Sequence, residues 1–260
     1  MQRHYLFLDK CMSMTYTLII NKRKVTFMLY QTYKNFTENV FDRTKAIENA
    51  KKAKCNIITQ DTIVNVPKIN DYTADMNWVN DLISGTCKIV LNESRIREDD
   101  FTYGEVGSAV VIIDGNIHNR IIHGPVLGEY YKVKLINGAM VKQLRTRYNK
   151  VMGAIVCIHN HPTNSTFSFN DIKNLLNYME IGAIVVVGNT SWLYVLAKTS
   201  VNYSAYLKLV SKMNMHLIEL MDKGMTKKDA SLEIVKTILN MPAKYGLYYK
   251  QYRRCGNVKA

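Results

Sequence analysis

The segment that most constrains this fold runs from Met152 to Pro162. Met152–Ile158 is an almost unbroken apolar run of strand length. Such a run suits a strand buried on both faces, whereas a strand with one wet face alternates polar and apolar residues. The chain must therefore cover both sides of a sheet, which points to an α/β architecture. His159-Asn160-His161-Pro162 follows at the strand's exit. In extended backbone, residues two apart project to one face, so both imidazoles can reach one point. Pro162 has no backbone N–H to offer the ladder and directs the chain out of the sheet.

The flanking sequence supplies the rest of such a sheet. Val106–Ile113 and Ile117–His123 read as paired strands about the turn Asp114-Gly115-Asn116. Residues from about Leu135 to Tyr148 have amphipathic helical spacing, and a second helix is predicted from Ser168 to about Ile181. Ala183–Val187 and Trp192–Ala197 form a further hairpin about Gly188-Asn189-Thr190-Ser191. The order β-β-α-β-loop-α-β-β describes a mixed sheet flanked by helices over residues 101–200. Residues 1–100 form an N-terminal α+β region. In it, Tyr16–Ile20 and Val25–Tyr30 flank the polar turn Asn21-Lys22-Arg23-Lys24, and Val40–Lys54 has helical spacing. Residues 60–100 are mostly polar with short apolar patches, and Glu98-Asp99-Asp100 marks a boundary. Residues 201–260 hold a helical pair and a basic tail. The first helix carries Tyr203, Leu207, Val210, Met213, Leu217 and Leu220 and stops at Gly224. The second starts at the cap Thr226 and ends at Pro242, leaving residues 242–260 peripheral.

Composition narrows the function classes. With 47% hydrophobic and 22% charged residues, the chain is a globular protein and not a disordered one. No apolar run reaches the roughly 20 residues a membrane helix needs, so no membrane partner is expected. Asp9 and Lys10 interrupt any signal-peptide pattern, which makes the cytoplasm the expected location. Five scattered cysteines, an odd count without a CxxC pair, argue against a disulfide framework and exclude a cysteine zinc knot. The net charge is +14, and residues 201–260, with 11 basic and 4 acidic groups, carry half of it. That bias favours an acidic partner, nucleic acid included, or serves solubility alone.

Ser168 and Asp171 stand three apart at the start of the helix that follows Pro162. Both residue types are favoured there as caps. A carboxylate in that first turn can also face back toward the strand end. Two histidines and one carboxylate make a catalytic zinc shell with the fourth position left for water.

The ordered set of His159, His161, Pro162, Ser168 and Asp171 resembles the JAMM/MPN (JAB) zinc metalloprotease family, whose pattern is a glutamate, then HxHP, then SxxD. The HNHP form is especially similar to the RadC branch and to JAMM domains of phages and mobile elements. The resemblance covers residues from about 101 to 200 and implies the cytidine-deaminase-like mixed sheet of that family. It implies that His159, His161 and Asp171 bind one zinc ion per chain. It implies that Ser168 hydrogen-bonds the reacting water or the developing oxyanion, and that Glu105 is the general base, with Glu129 as second choice. The implied reaction is hydrolysis of a peptide or isopeptide bond in a protein or peptide substrate. Six residues, Pro162–Phe167, separate His161 from Ser168, where the family has seven.

Two readings of other classes remain open at this stage. One is a RadC-like DNA-associated protein whose basic tail (Lys250, Arg253, Arg254 and Lys259, with Tyr248, Tyr249 and Tyr252) holds nucleic acid through phosphates and stacking. An HUH endonuclease fits less well, because Asn160 stands where that motif has a hydrophobic residue. The other is a non-catalytic MPN scaffold, against which the retained ligand set argues.

Overall fold

The structure, a computed structural model, describes residues 7–8, 11–20, 23–30, 58–69, 77–98, 105–113, 116–123, 125–126, 129–133, 135–136, 141, 145, 152–200 and 202–253. Strands β1 (Phe7–Leu8), β2 (Cys11–Ile20) and β3 (Arg23–Tyr30) form an antiparallel sheet of their own. Helices α1 (Gln60–Val64) and α2 (Asn77–Glu98) precede the hairpin β4 (Gly107–Ile113) and β5 (Asn116–His123). A short pair, β6 (Pro125–Val126) and β7 (Glu129–Val133), leads on to β8 (Ile155–His161). Helix α3 (Phe169–Asn177), strands β9 (Ile181–Gly188) and β10 (Leu193–Lys198), and helices α4 (Tyr203–Asp222) and α5 (Lys227–Asn240) follow. A 3-10 turn, Pro242–Tyr245, then introduces β11 (Leu247–Tyr252).

The main sheet has six strands in the order β11-β10-β9-β8-β4-β5. Only β8 and β9 run parallel, and α3 is the crossover between them. All seven residues of β8 are buried, as its apolar run requires. Ile155 and Cys157 share one core with Ile172, Leu175 and Leu176 of α3 and with α4 and α5. Val156 and Ile158, pointing the other way, meet Val79, Ile83, Val90 and Leu91 of α2. The mixed α/β layout with helices on both faces is therefore as expected. Cys87 and Cys157 are buried free thiols within these cores, so they behave as small hydrophobes. Among the described residues, no helix is long and apolar enough to cross a membrane.

Several elements differ from the sequence expectation. β8 starts at Ile155 and continues through His161, so both histidines stand in the strand itself. α3 ends at Asn177, short of Ile181, because Ile181 already pairs with Ile155 in the parallel ladder. Residues 77–98, read as mostly polar, form the 22-residue helix α2. α2 lies before the acidic stretch at Glu98, yet it shares a core with the sheet that lies after it. Arg23 and Lys24, read as turn residues, belong to β3, since Ile20 pairs with Arg23. The helix expected over Val40–Lys54 lies outside the described residues. So does most of the one over Leu135–Tyr148, of which Val141 and Arg145 are helical.

The largest correction concerns the tail. Residues 247–252 are not peripheral: β11 pairs with β10 along its whole length and buries Leu247 and Tyr252. Its pattern, Leu-Tyr-Tyr-Lys-Gln-Tyr, conceals a strand because tyrosines and a lysine serve both wet and dry positions at a sheet edge.

Candidate metal centre

The site sits where β8 leaves the sheet. His159 and His161 project to the face of β8 that carries Ile155 and Cys157, toward α3. Asn160 between them points to the α2 face. His159 lies opposite Gly107 of β4, and a Cβ on Gly107 would stand 2.9 Å from Ile158 O and 3.0 Å from His159 Cβ. Glycine thus permits the close approach of β4 to the ligand strand. Glu105, two residues before Gly107, emerges on the histidine face by the same alternation.

The Pro-led loop is held from two sides. Asn164 adopts φ 56°, its N–H donates to His161 O at 3.1 Å, and its Oδ1 accepts from Thr190 N at 2.9 Å. This pins the loop to the β9–β10 turn, so six residues suffice to deliver Ser168 to the start of α3. There Ser168 is the N-cap: its Oγ accepts from Asp171 N at 3.1 Å. Asp171 Oδ2 in turn accepts from Ser168 N and from Ser168 Oγ, both at 2.7 Å. The cap and the candidate ligand are the same pair of residues, because Asp171 also turns its carboxylate to the histidines.

The donor atoms converge. His159 Nε2 and His161 Nε2 are 3.0 Å apart. Asp171 Oδ1 lies 3.4 Å from His159 Nε2, and Asp171 Oδ2 lies 3.6 Å from His161 Nε2. Glu105 Oε1 stands 3.7 Å from His161 Nε2. Donors held tetrahedrally at zinc bond lengths of about 2.0–2.2 Å are separated by about 3.3–3.6 Å. The two Asp171–imidazole separations fall in that range and Glu105 lies just beyond it, while the imidazole pair at 3.0 Å is closer, so a small divalent cation fits the set once the two rings move slightly apart. The buried group Glu105, His159 and His161 could hold a metal ion, and Asp171 offers a second carboxylate from α3, so the two histidines and one carboxylate can hold the ion with the other carboxylate left beside it.

Hydrogen bonds orient one imidazole for that role. His161 Nδ1 is 3.0 Å from Ser165 O, an atom that can only accept. Ser165 Oγ also lies 3.1 Å from Nδ1; with the Nδ1 proton given to Ser165 O, the Nε2 lone pair faces the centre. His159 Nδ1 is buried without a hydrogen-bond partner.

The electrostatics are those of a tightly coupled buried cluster. Burial pushes His161 down to about 4, helped by the neighbouring His159 and opposed by Asp171 and the backbone of Ser165 and Thr166. Burial also pushes His159 down, but the Asp171 carboxylate, by charge and hydrogen bond, and then Glu105 carry it above its ordinary value. Burial alone would raise Asp171. His159, His161 and the Ser168 hydroxyl instead hold it well below the usual carboxylate range. Glu105 is pushed up to about 8 by burial, with Asp171 adding and with His159 and the Val133 backbone opposing. A bound divalent ion would reverse that rise, since it is the largest local charge in such a site.

All five residues singled out from the sequence, Glu105, His159, His161, Ser168 and Asp171, meet at this one place. The side chain of Glu129, at the start of β7, lies outside the described residues. The sequence reading gave no role to Asn160, Ser165, or Ser94 of α2, each of which touches the ligand strand or its loop. A signal for Asn160 existed: it interrupts the apolar face of β8 formed by Val156 and Ile158, and a buried amide there requires partners. Comparison with known proteins returns no family model, no curated protein and no solved structure that matches this chain.

Proposed function

We propose that the chain is a zinc-dependent hydrolase of peptide or isopeptide bonds, of JAMM/MPN type. The observation that carries this reading is the convergence of His159 Nε2, His161 Nε2 and the Asp171 carboxylate within 3.0–3.6 Å, with Glu105 3.7 Å from His161. When bound, zinc supplies a Lewis acid that brings the pKa of a water in its open position to about 7. His159, His161 and Asp171 are the residues that would hold it. Glu105, largely buried beside them, would take a proton at Oε1 and return it to the leaving amine. Ser168 anchors Asp171 through two hydrogen bonds and orients the ligand carboxylate. Its hydroxyl would assist at a developing oxyanion only by exchanging its bond to Asp171 Oδ2 for one to the substrate.

The test has two parts. Elemental analysis of the purified protein should find about one zinc per chain, lost in His161→Ala. A panel of peptides and lysine-linked isopeptides, read by amines newly released, should be cleaved by wild-type protein and not by His161→Ala. A metal-free wild-type protein that cleaves such a bond would defeat the proposal.

The incorporation of Tyr248, Tyr249, Lys250 and Tyr252 into β11 bears on the nucleic-acid reading. Tyr252 is buried against the sheet, Lys250 lies over its ring at 5.4 Å, and Arg253 lies over Trp192 at 5.0 Å. These aromatic and basic residues are engaged within the fold, which favours the hydrolase.

A further inference from the structure

We propose that Asn160, the residue between the two histidines, is a positioning residue that holds Glu105 at the metal-binding face by clamping Val106. This rests on the zinc hydrolase reading above and names what fixes its proton acceptor.

Asn160 is fully buried, and its side chain makes three hydrogen bonds. Its Oδ1 accepts from Val106 N at 2.7 Å. Its Nδ2 donates to Ser94 Oγ of α2 at 3.2 Å and to Asn189 Oδ1 at 3.0 Å. Its own backbone N–H donates to Val106 O at 3.0 Å. The amide orientation is not arbitrary. Val106 N can only donate, so the atom facing it must be the carbonyl oxygen.

The clamp replaces a ladder bond. The β4–β8 register ends with Gly107 opposite His159, which puts Val106 opposite Asn160. In a continued antiparallel pair Val106 N would donate to the main-chain carbonyl of Asn160. Here the side-chain carbonyl takes that place, so β4 is tied to β8 one residue beyond the strand, immediately before Glu105. An anchored Val106 leaves Glu105 little backbone freedom with which to drift from His161.

The requirement is narrow. One acceptor and two donors must lie in a single plane at short reach from the β8 backbone. Asparagine supplies that set. Aspartate would lose both donors and bury an unpaired negative charge on the α2 face, and an apolar residue would orphan Val106 N. Through Ser94 the clamp is also braced by α2, on the far side of the sheet from the metal.

The test uses Co²⁺ as the metal probe, together with hydrogen exchange at the Val106 amide, in the full chain. Wild type, Glu105→Gln, Asn160→Ala and Ser94→Ala should each bind one Co²⁺. In Asn160→Ala the Val106 amide should exchange about tenfold faster or more, the equivalent of one lost hydrogen bond. Its Co²⁺ visible spectrum should depart from wild type in the same way as that of Glu105→Gln. A purely structural role would lower the melting temperature and leave the spectrum as in wild type, and that outcome overturns the proposal. Should Asn160→Ala not fold, Ser94→Ala decides. It should shift the spectrum in the same direction by less, and a spectrum identical to wild type overturns the clamp. An unchanged Glu105→Gln spectrum would remove Glu105 from the site and overturn both readings. Wild-type protein that takes up no Co²⁺, yet exchanges Val106 faster in Asn160→Ala, would leave the clamp and sink the zinc assignment.

Discussion

The two ends of β8 solve the same problem in opposite ways. At its start, Glu180 is fully buried, and its backbone carbonyl accepts from Ile155 N at 2.8 Å. Its carboxylate takes two contacts from the Arg145 guanidinium at 2.6 Å. A buried charge there has a dedicated counter-charge from the chain. At the other end, Asp171 and Glu105 face two imidazoles, and burial drives His161 toward neutrality. No lysine or arginine is recorded in contact with that cluster among the described residues. The Glu180 end is a structural ion pair made through Oε1, while Oε2 is buried without a hydrogen-bond partner. At the histidine end the counter-charge is His159 itself, which Asp171 and Glu105 hold above its ordinary value, so the nitrogen that balances the carboxylates is also a donor that a metal ion would take over.

The strongest way to break the comparison is to remove a ligand at one end and the counter-ion at the other. His161→Ala should reduce zinc from about one per chain to background, because three protein ligands are the minimum for a catalytic zinc shell. Arg145→Ala should keep the zinc and lose stability instead. The expected cost is about 1–3 kcal/mol, below that of a fully buried pair, since the Arg145 side chain is 57% exposed. Elemental analysis and urea unfolding measure the two. Loss of zinc in Arg145→Ala would show that the ends are not independent.

The next effect separates the carboxylates by role. Glu105→Gln should retain zinc and fold while lowering turnover roughly 100- to 10,000-fold, the usual range for a general base. Glu180→Gln should leave turnover near wild type. Full activity in Glu105→Gln, with loss in Glu129→Gln, would transfer the role to Glu129.

How much of this was legible follows from how local each signal is. The apolar run before His159 announced a strand buried on both faces, and the spacing of two announced a shared face for the imidazoles. Ser168 and Asp171 were legible because capping and ligation ask for the same residue types at the same spacing. α2 was hidden because Ser84, Thr86 and Ser94 are buried polar residues on its inner face, which blunts its apolar periodicity. Asn160 was hidden because its partners, Val106 and Ser94, stand 54 and 66 residues away in the chain. β11 was hidden because an edge strand need bury only part of its side chains.

A pH experiment sharpens the contrast between the two ends. In metal-free protein Glu105 has a folded value of about 8 against an ordinary value near 4.5. The folded state therefore holds a proton that the unfolded state releases between those values. The contribution to stability is full below about 4.5 and is lost as pH rises through about 8, by at most about 1.4 kcal/mol per pH unit. Chelated wild-type protein should lose melting temperature over that window more steeply than chelated Glu105→Gln. Zinc loading should flatten the wild-type slope, because the cation stabilises the ionised carboxylate. Equal slopes in the two chelated proteins would mean that Glu105 is not buried against the site.

The smallest effect tests whether the cap of α3 does more than cap. The chain contains a natural control at the start of α5. There Thr226 Oγ1 accepts from Asp229 N at 3.1 Å and donates to Asp229 Oδ2 at 2.6 Å, on an exposed surface. Ser168 and Asp171 repeat that arrangement at 3.1 and 2.7 Å beside the histidines. Loss of either hydroxyl leaves a helix N-terminus short of one acceptor, so Ser168→Ala and Thr226→Ala should each cost about 1 kcal/mol in urea unfolding. Only Ser168→Ala also frees Asp171 Oδ2 from an orienting bond, and orienting partners of metal ligands are worth about 10- to 100-fold in affinity. Zinc affinity by competition with a chromophoric chelator should therefore fall in Ser168→Ala, toward the lower end of that range because Ser168 N still holds the same oxygen. It should stay at the wild-type value in Thr226→Ala. Equal zinc affinity in the two variants would reduce Ser168 to a helix cap and remove it from the chemistry of the site.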